Sequence, residues 1–332
     1  MRIGVLGYGS FGLVISSILY ENGHDVLIWG RNPKKVEKLI KTRRDTHKLP
    51  GFKLPEGIKI THDLEKLKDM DLLVSALPSH AIEKVFERLL SVFIPCNIVS
   101  LTKGFVDEEN LPSDFIHKML PSSHIAVLSG PTIARELAKK LPTSAVLASK
   151  DMDFATSLQK VFSTSYFRIY THDDVRGVEL GGALKNILAI AAGMVDGLLF
   201  GMNAKGALLA RGIMEMRRFA LSLGAKSYTL MGLSGYGDLI TTSFSPDSRN
   251  RTVGELLAKG KKLNEIMDEL GMVAEGIRTS KIVMKIAEKK HIDLPITRVV
   301  YLLVNEEIDF NEARDMLLAR PLKKEFYDGH WI

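Results

Sequence analysis

The sequence predicts an α/β fold in two parts: a doubly wound, mainly parallel sheet in the N-terminal half, and an all-helical C-terminal half. Three observations predict it. Short β-rich runs separated by amphipathic stretches fill the first 172 residues. A turn of the form G-x-G-x-x-G joins the first run to the first helix. From Asp173 onward strand patterns nearly vanish while helical spacing continues. The boundary is placed at about residue 175, giving domains 1–175 and 176–332. A chain of 332 residues fits two domains at about 150 residues each.

The elements follow in order. Residues 2–6 form a strand, 11–23 a helix with a glycine stop, and 24–30 a second strand, together a βαβ unit. The apolar run 71–78 has the composition of a parallel strand buried on both faces. An amphipathic helix is expected over 79–93, with Ser79 as its N-cap. Further strands are expected at 97–104, 124–131, 143–149 and 166–172. Helices are expected at 175–198, 205–224, 251–260, 277–290, 297–307 and 311–320.

Composition narrows the class. Apolar residues make up 45% and charged residues 25%, values of a globular chain. Cys96 is the single cysteine, so neither an intrachain disulfide nor a cysteine zinc site can form, and a reducing, cytoplasmic compartment is expected. No signal peptide is read at the N-terminus, because four glycines interrupt the apolar stretch. The apolar run 187–195 is nine residues, short of the ~20 that span a bilayer, and reads as a buried helix. A soluble protein without membrane insertion is expected. The formal charge of +6 has one address: residues 31–48 hold eight basic and two acidic residues, and the rest of the chain balances. A basic surface for nucleic acid is therefore not expected.

The turn Gly7-Tyr8-Gly9-Ser10-Phe11-Gly12 sits between a strand and a helix at the start of a βαβ unit, the setting of a Rossmann-like dinucleotide site. Gly7 permits the tight turn, Gly9 a close backbone approach to pyrophosphate, and Gly12 close helix–strand packing. The amides of Ser10 and Phe11 face the phosphates at the helix N-terminus. A glycine-rich turn without a ligand is the alternative. Where an NAD enzyme carries an acidic residue for the ribose 2′-hydroxyl, this chain has Gly30, Arg31 and Asn32. Arg31 can meet a 2′-phosphate, so NADP(H) is expected, with NAD(H) as a second cofactor.

Polar residues recur where the strands end: Lys103 in SLTKG and Thr132 in SGPT. Lys185 and Asn186 stand in an otherwise apolar helix. A buried lysine has a lowered pKa and suits acid–base work, while a lysine snorkelling from a helix edge is the equal alternative. Asp238 can pair with a lysine or serve a turn. Ser248, Arg249 and Asn250 open a helix as an anion site or as an ordinary cap with surface arginines. Glu275 is most simply a cap or dipole partner. There is no H-E-x-x-H, no clustered histidine or cysteine set and no G-x-S-x-G, so no metal is expected.

The ordered set GYGSFG, LTKG, SGPTIARE, ALKN, GYGDLITT, SRN and AEG resembles the soluble, bacterial NAD(P)-dependent glycerol-3-phosphate dehydrogenases over nearly the whole chain. The resemblance implies that Ser10, Phe11, Arg31, Ala134, Val273 and Glu275 contact cofactor. It implies that Lys103 serves cofactor and substrate, that Gly130 and Thr132 contact substrate, and that Lys185 is the proton acceptor. Asp238, Ser248, Arg249 and Asn250 are implied to hold glycerol phosphate, with Arg249 also near the cofactor. Ile133 and Ser243 depart from the family's usual aromatic and cysteine, at positions that carry no chemistry. The implied substrates are dihydroxyacetone phosphate and glycerol 3-phosphate, the latter made for phospholipid synthesis; a homodimer is left open. The rival readings are a 3-hydroxyacid or 6-phosphogluconate-type dehydrogenase on the same plan, and a non-catalytic dinucleotide sensor or DNA-binding regulator.

Overall fold

The computed structural model describes residues 1–45, 49–95, 97–270, 274–318 and 324–325. Cys96 and Val273 lie outside them. Contacts divide the chain into two units, Met1–Glu179 and Leu180–Ile332.

In the first unit, eight strands form one sheet: β1 (Arg2–Leu6), β2 (Asp25–Trp29), β3 (Lys59–Thr61), β4 (Leu72–Ser75), β5 (Asn97–Ser100), β6 (His124–Ser129), β7 (Thr143–Ser149) and β8 (Phe167–His172). The order is β3-β2-β1-β4-β5-β6-β7-β8, parallel throughout except where β7 runs against β6. Six helices accompany it: α1 (Ser10–Glu21), α2 (Pro33–Thr42), α3 (Ile82–Leu90), α4 (Pro112–Met119), α5 (Ala134–Ala138) and α6 (Met152–Phe162).

The two-residue period of the strands sorts their apolar side chains between two cores. Ile3, Val5, Val26, Ile28, Val74 and Val99 pack with residues of α1, α2, α5 and α6. Leu6, Leu27, Trp29, Leu73 and Ile98 pack with residues of α3 and α4. The register places Leu6 beside both Trp29 and Ser75, and Ser75 beside Ser100. The C-terminal ends of β2, β1, β4 and β5 are thus level, and the loops that follow them leave along one edge of the sheet, where α/β sheets bind ligands.

The second unit is helical: α7 (Val175–Gly197), within which the division falls, then α8 (Gly201–Ser222), α9 (Asp238–Phe244), α10 (Arg249–Ala258), α11 (Leu263–Leu270), α12 (Glu275–Lys289), α13 (Pro295–Val304) and α14 (Phe310–Leu318). Leu188 of α7, Phe219 of α8, Val283 of α12 and Thr297 of α13 surround one small void of about 10 Å³, so these four helices pack around a nearly filled core. Glu215 of α8 accepts from the backbone amides of Ile296 and Thr297 and so caps the start of α13 from within that core.

One expectation is corrected and others are extended. The helix expected over 79–93 opens as a 3₁₀ turn, Ser79–Ala81. Pro78 enters it in extended backbone, α3 starts only at Ile82, and no side chain caps either start. The apolar run 187–195 lies buried within the helix expected over 175–198. It is the middle of a 23-residue helix, long and apolar enough by length and composition to cross a membrane, whose apolar window is wholly buried in protein. Lys185 and Asp196 do not end it because both are ion-paired. Strand β3 and helices α9 and α11 were not anticipated: β3 has three residues, and the other two are seven and eight residues long.

One buried acid lies apart from all predicted site residues. Glu179, in the first turns of α7, is 2% exposed and accepts from the amide (2.9 Å) and hydroxyl of Ser113 at the start of α4. Burial pushes its pKa up to about 8; the Ser113 bonds and Arg176 oppose the shift, and Asp114 adds to it. The folded value lies above the unfolded one, so its contribution to stability is complete below about pH 4.5 and is lost as pH rises to about 8. Glu179→Gln should remove that loss. Tm measured from pH 5 to 9 should fall less steeply than in the parent, and an unchanged pH profile would remove Glu179 as the cause.

Candidate active site

In the first unit, the turn after β1 is shaped by what its glycines exclude. Gly7 has φ +108°, and a Cβ there would meet the Ala76 carbonyl oxygen at 2.9 Å. A Cβ on Gly12 would run into the Gly7 carbonyl, while one on Gly9 would meet nothing within 4 Å. The turn is therefore packed from below at Gly7 and Gly12 and open above Gly9. Gly9 is also the N-cap of the twelve-residue α1, and no side chain caps that helix. An open approach beside a helix start fits the pyrophosphate of a dinucleotide.

At the end of β2 a side chain on Gly30 would collide with the Tyr8 ring, so the loop residue Tyr8 packs directly over this strand end. Arg31 follows, exposed, before the cap residue Asn32, whose side chain accepts from the Lys35 amide at 3.1 Å. Burial and Asp45 raise the Tyr8 hydroxyl pKa while Arg31 opposes them, which puts the guanidinium within electrostatic reach of the glycine turn. Of the basic segment 31–48, Lys34, Lys35, Lys38, Lys41 and Arg44 are solvated, but Arg43 is buried and donates to the carbonyls of Pro55, Glu56 and Ile58.

Lys103 lies in the loop after β5. Its Nζ donates to the Gly130 carbonyl (2.8 Å) and to Thr132 Oγ1 (3.2 Å), joining the loops that follow β5 and β6. Gly130 has φ +140°, a conformation other residues rarely adopt. Ala134 opens the short α5 and packs partly against the core that includes α1. A groove of about 630 Å³ in this unit, lined by Ile40, Ile60 and Arg88 among others, holds none of the predicted site residues.

In the second unit, Lys185 projects from α7 and is 7% exposed; Asp238, first residue of α9, is 2% exposed. Lys185 Nζ donates to Asp238 Oδ1 at 3.0 Å and to Thr242 Oγ1 at 2.6 Å, and Thr242 donates to the same carboxylate oxygen at 3.1 Å. The π-helical turn Leu233–Gly237 delivers Asp238 to this position. An ion pair so enclosed is costly to assemble, and removal of either partner would strand the other charge.

A second chain of bonds runs beside it. Asn250 Nδ2 donates to Asn186 Oδ1 (2.9 Å), and Asn250 Oδ1 accepts from the Gly276 amide (3.0 Å), tying α10 to α7 and α12. Ser248 Oγ accepts from the Arg251 amide, so Ser248 is the N-cap of α10. Arg249 is the next residue. Partial enclosure lowers its pKa and Glu275 opposes the shift; with more than a third of the residue open to solvent, the charge is retained. Among the described residues no group of three or more potential metal ligands occurs.

One unit thus holds a glycine turn open above Gly9 at a helix start, and the other a buried, ion-paired lysine and the Ser248-capped start of α10. Two sequence profiles match the chain: the NAD-dependent glycerol-3-phosphate dehydrogenase N-terminus over residues 2–155, and the C-terminus of the same enzymes over residues 174–315.

The chain belongs to the NAD-dependent glycerol-3-phosphate dehydrogenase family.

Its relatives within the family include the glycerol-3-phosphate dehydrogenases (NAD(P)+) of Leptospira biflexa, 40% identical over 98% of this chain and 99% of the relative, and of Thiobacillus denitrificans, 41% identical over 98% and 100%. The crystal structure of glycerol-3-phosphate dehydrogenase from Coxiella burnetii is similar with a TM-score of 0.92, at 35% identity, covering 96% of this chain and 99% of that one.

The structure thus brings Lys103, Gly130 and Thr132 together in one unit, and Lys185 with Asp238 in the other. Thr242 was missed as the third member of that pair. Its signal was present: four residues after Asp238, it falls on the same helix face. The Asn186–Asn250 bond has no sequence signal beyond the polarity of Asn186 in an apolar helix.

Proposed function

We propose that this glycerol-3-phosphate dehydrogenase family member reduces dihydroxyacetone phosphate to glycerol 3-phosphate with NAD(P)H, reversibly. Residues 1–175 serve the dinucleotide and 176–332 the substrate, and the product feeds phospholipid synthesis in the cytoplasm. The observation that carries the reading is Lys185, buried and held by Asp238 and Thr242. When bound, the dinucleotide supplies a hydride to the carbonyl carbon or accepts it back. Gly7, Gly9, Ser10, Phe11 and Gly12 bind its pyrophosphate, Arg31 its 2′-phosphate, and Lys103, Ala134, Arg249, Val273 and Glu275 complete its contacts.

Lys185 exchanges the proton. In reduction its ammonium donates to the substrate carbonyl oxygen, which becomes the C2 hydroxyl; in oxidation the neutral amine takes that proton back. Asp238 stabilises the ammonium and, with Thr242, aims it. What supports this reading over a snorkelling lysine is that both partners of the pair are buried. Arg249 at the start of α10 grips the phosphate with Ser248 and Asn250. Binding energy at that remote group orients the carbonyl. Gly130, Thr132 and Lys103 contact the glycerol portion. A homodimer is proposed as the assembly, and no nucleic-acid partner.

The direct test is oxidation of NADPH, then of NADH, with dihydroxyacetone phosphate. Turnover with a 3-hydroxyacid or 6-phosphogluconate and none with the triose would overturn the proposal. In the same assay Arg31→Ala should raise KM for NADPH about tenfold or more, the worth of a charge-assisted hydrogen bond, and leave KM for NADH nearly unchanged. Equal effects on both would remove Arg31 from 2′-phosphate recognition.

A further inference from the structure

The first turn of α10 is fixed on both sides of Arg249. Asn250 is bonded to Asn186 and Gly276. Arg251 Nε donates to Asp196 Oδ2 at 2.7 Å, and its guanidinium also reaches Glu255 at 3.2 Å. Asp196 receives a second cation: Lys205 Nζ of α8 lies 2.9 and 2.8 Å from its two oxygens. Lys205 is 3% exposed, and its ammonium sits 4.4 Å from the centre of the Phe244 ring at the end of α9. One carboxylate thus joins α7, α8 and α10 in a largely enclosed cluster.

The backbones are registered as well. A Cβ on Gly193 would collide with the Arg251 carbonyl, and one on Gly254 with the Ile190 carbonyl, so α7 and α10 cross with their main chains in contact. Asn186 and Gly193, seven residues apart, lie nearly on one face of α7, which is the seam for α10. Lys185 and Asp196, eleven residues and about three turns apart, share the adjoining face. Arg249 cannot shift along α7 unless the bonds Asn250–Asn186 and Arg251–Asp196 give way together.

We propose that the Lys205–Asp196–Arg251 cluster is a gauge: it fixes the span between the proton-transfer group and the phosphate grip, and so sets the chain length of the phosphorylated ketone that the enzyme accepts. The inference rests on the roles given above to Lys185 and Arg249. Asp196, Lys205 and Arg251 are positioning residues here, acting through the placement of Arg249. A substrate one carbon longer carries its phosphate too far from the carbonyl for a fixed span. Loosening the gauge relaxes that discrimination.

The test compares dihydroxyacetone phosphate with a phosphorylated hydroxyketone one carbon longer, in Asp196→Asn and Arg251→Lys. With the native enzyme the shorter ketone should be strongly preferred. In the variants kcat/KM for it should fall about tenfold, the scale of one charge-assisted hydrogen bond, while that for the longer ketone should hold or rise and KM for NADPH stay unchanged. Equal losses on both ketones, or an unchanged ratio, would overturn the gauge. If Asp196→Asn does not fold, Arg251→Lys, which keeps the charge and shortens the donor, decides alone. Arg249→Ala separates the two layers. If it leaves the preference for phosphorylated over free dihydroxyacetone intact, the grip itself is misassigned. If it removes that preference while the length ratio of the Asp196 and Arg251 variants is native, only the gauge fails.

Discussion

Lys185→Ala should lower kcat about 10²–10⁴-fold, the usual worth of a positioned general acid or base, and leave KM for NADPH near its native value. The side chain lost is the one that meets both Asp238 and Thr242 in the helical unit. The variant also strands a carboxylate that is 2% exposed, so its Tm should fall. That side effect can be separated from chemistry. Adding Asp238→Asn removes the stranded charge and should restore much of the Tm, but not the turnover. Steady-state kinetics and thermal melts of the single and double variants make the check. Recovery of turnover in the double variant would show that the lysine acts only by neutralising Asp238.

Arg249→Ala should cost about 10–150-fold in kcat/KM for dihydroxyacetone phosphate, corresponding to about 1.5–3 kcal/mol for bonds to a charged group. Unphosphorylated dihydroxyacetone, a poor substrate throughout, should hardly change. The expectation follows from position: Arg249 is the first residue of α10, beside the cap Ser248, with Asn250 and Arg251 tied down behind it. Its charge persists despite partial enclosure, with Glu275 opposing the drop in pKa. Equal losses on the phosphorylated and free ketone would refute the assignment.

Much of this was legible in the residues. Parallel strands buried on both faces must be apolar almost throughout, so β4 announced itself as a continuous run. The glycine turn was readable because only glycine tolerates the backbone at Gly7 and the contact at Gly12. Lys185 and Asn186 stood out because an apolar helix has no other use for them. What escaped had weak local signals. Strand β3 is three residues whose pairing with β2 is fixed at a distance, with Thr61 beside Trp29. Asp238 was ambiguous because its partner lies 53 positions earlier, and only the π-helical turn brings the two together. Ser248 shows how two readings can share one residue. Its oxygen does cap the helix, as the ordinary reading held, and that cap shapes the helix start in which Arg249 sits.

Helix α7 carries a hazard that the finished fold hides. As it leaves the ribosome it is a 23-residue segment with the hydropathy of a membrane anchor. Its eventual neighbours α8, α10 and α12 lie later in the chain and are not yet made. During that interval its apolar surface is exposed to aggregation. Until Lys205, Asp238 and Arg251 arrive to pair with them, the bare charges of Lys185 and Asp196 oppose its entry into lipid, while its apolar faces stay uncovered. Slow synthesis or truncation between residues 198 and 251 should therefore harm yield more than the same disturbance elsewhere, because it prolongs the exposure of an apolar helix that has nothing to pack against.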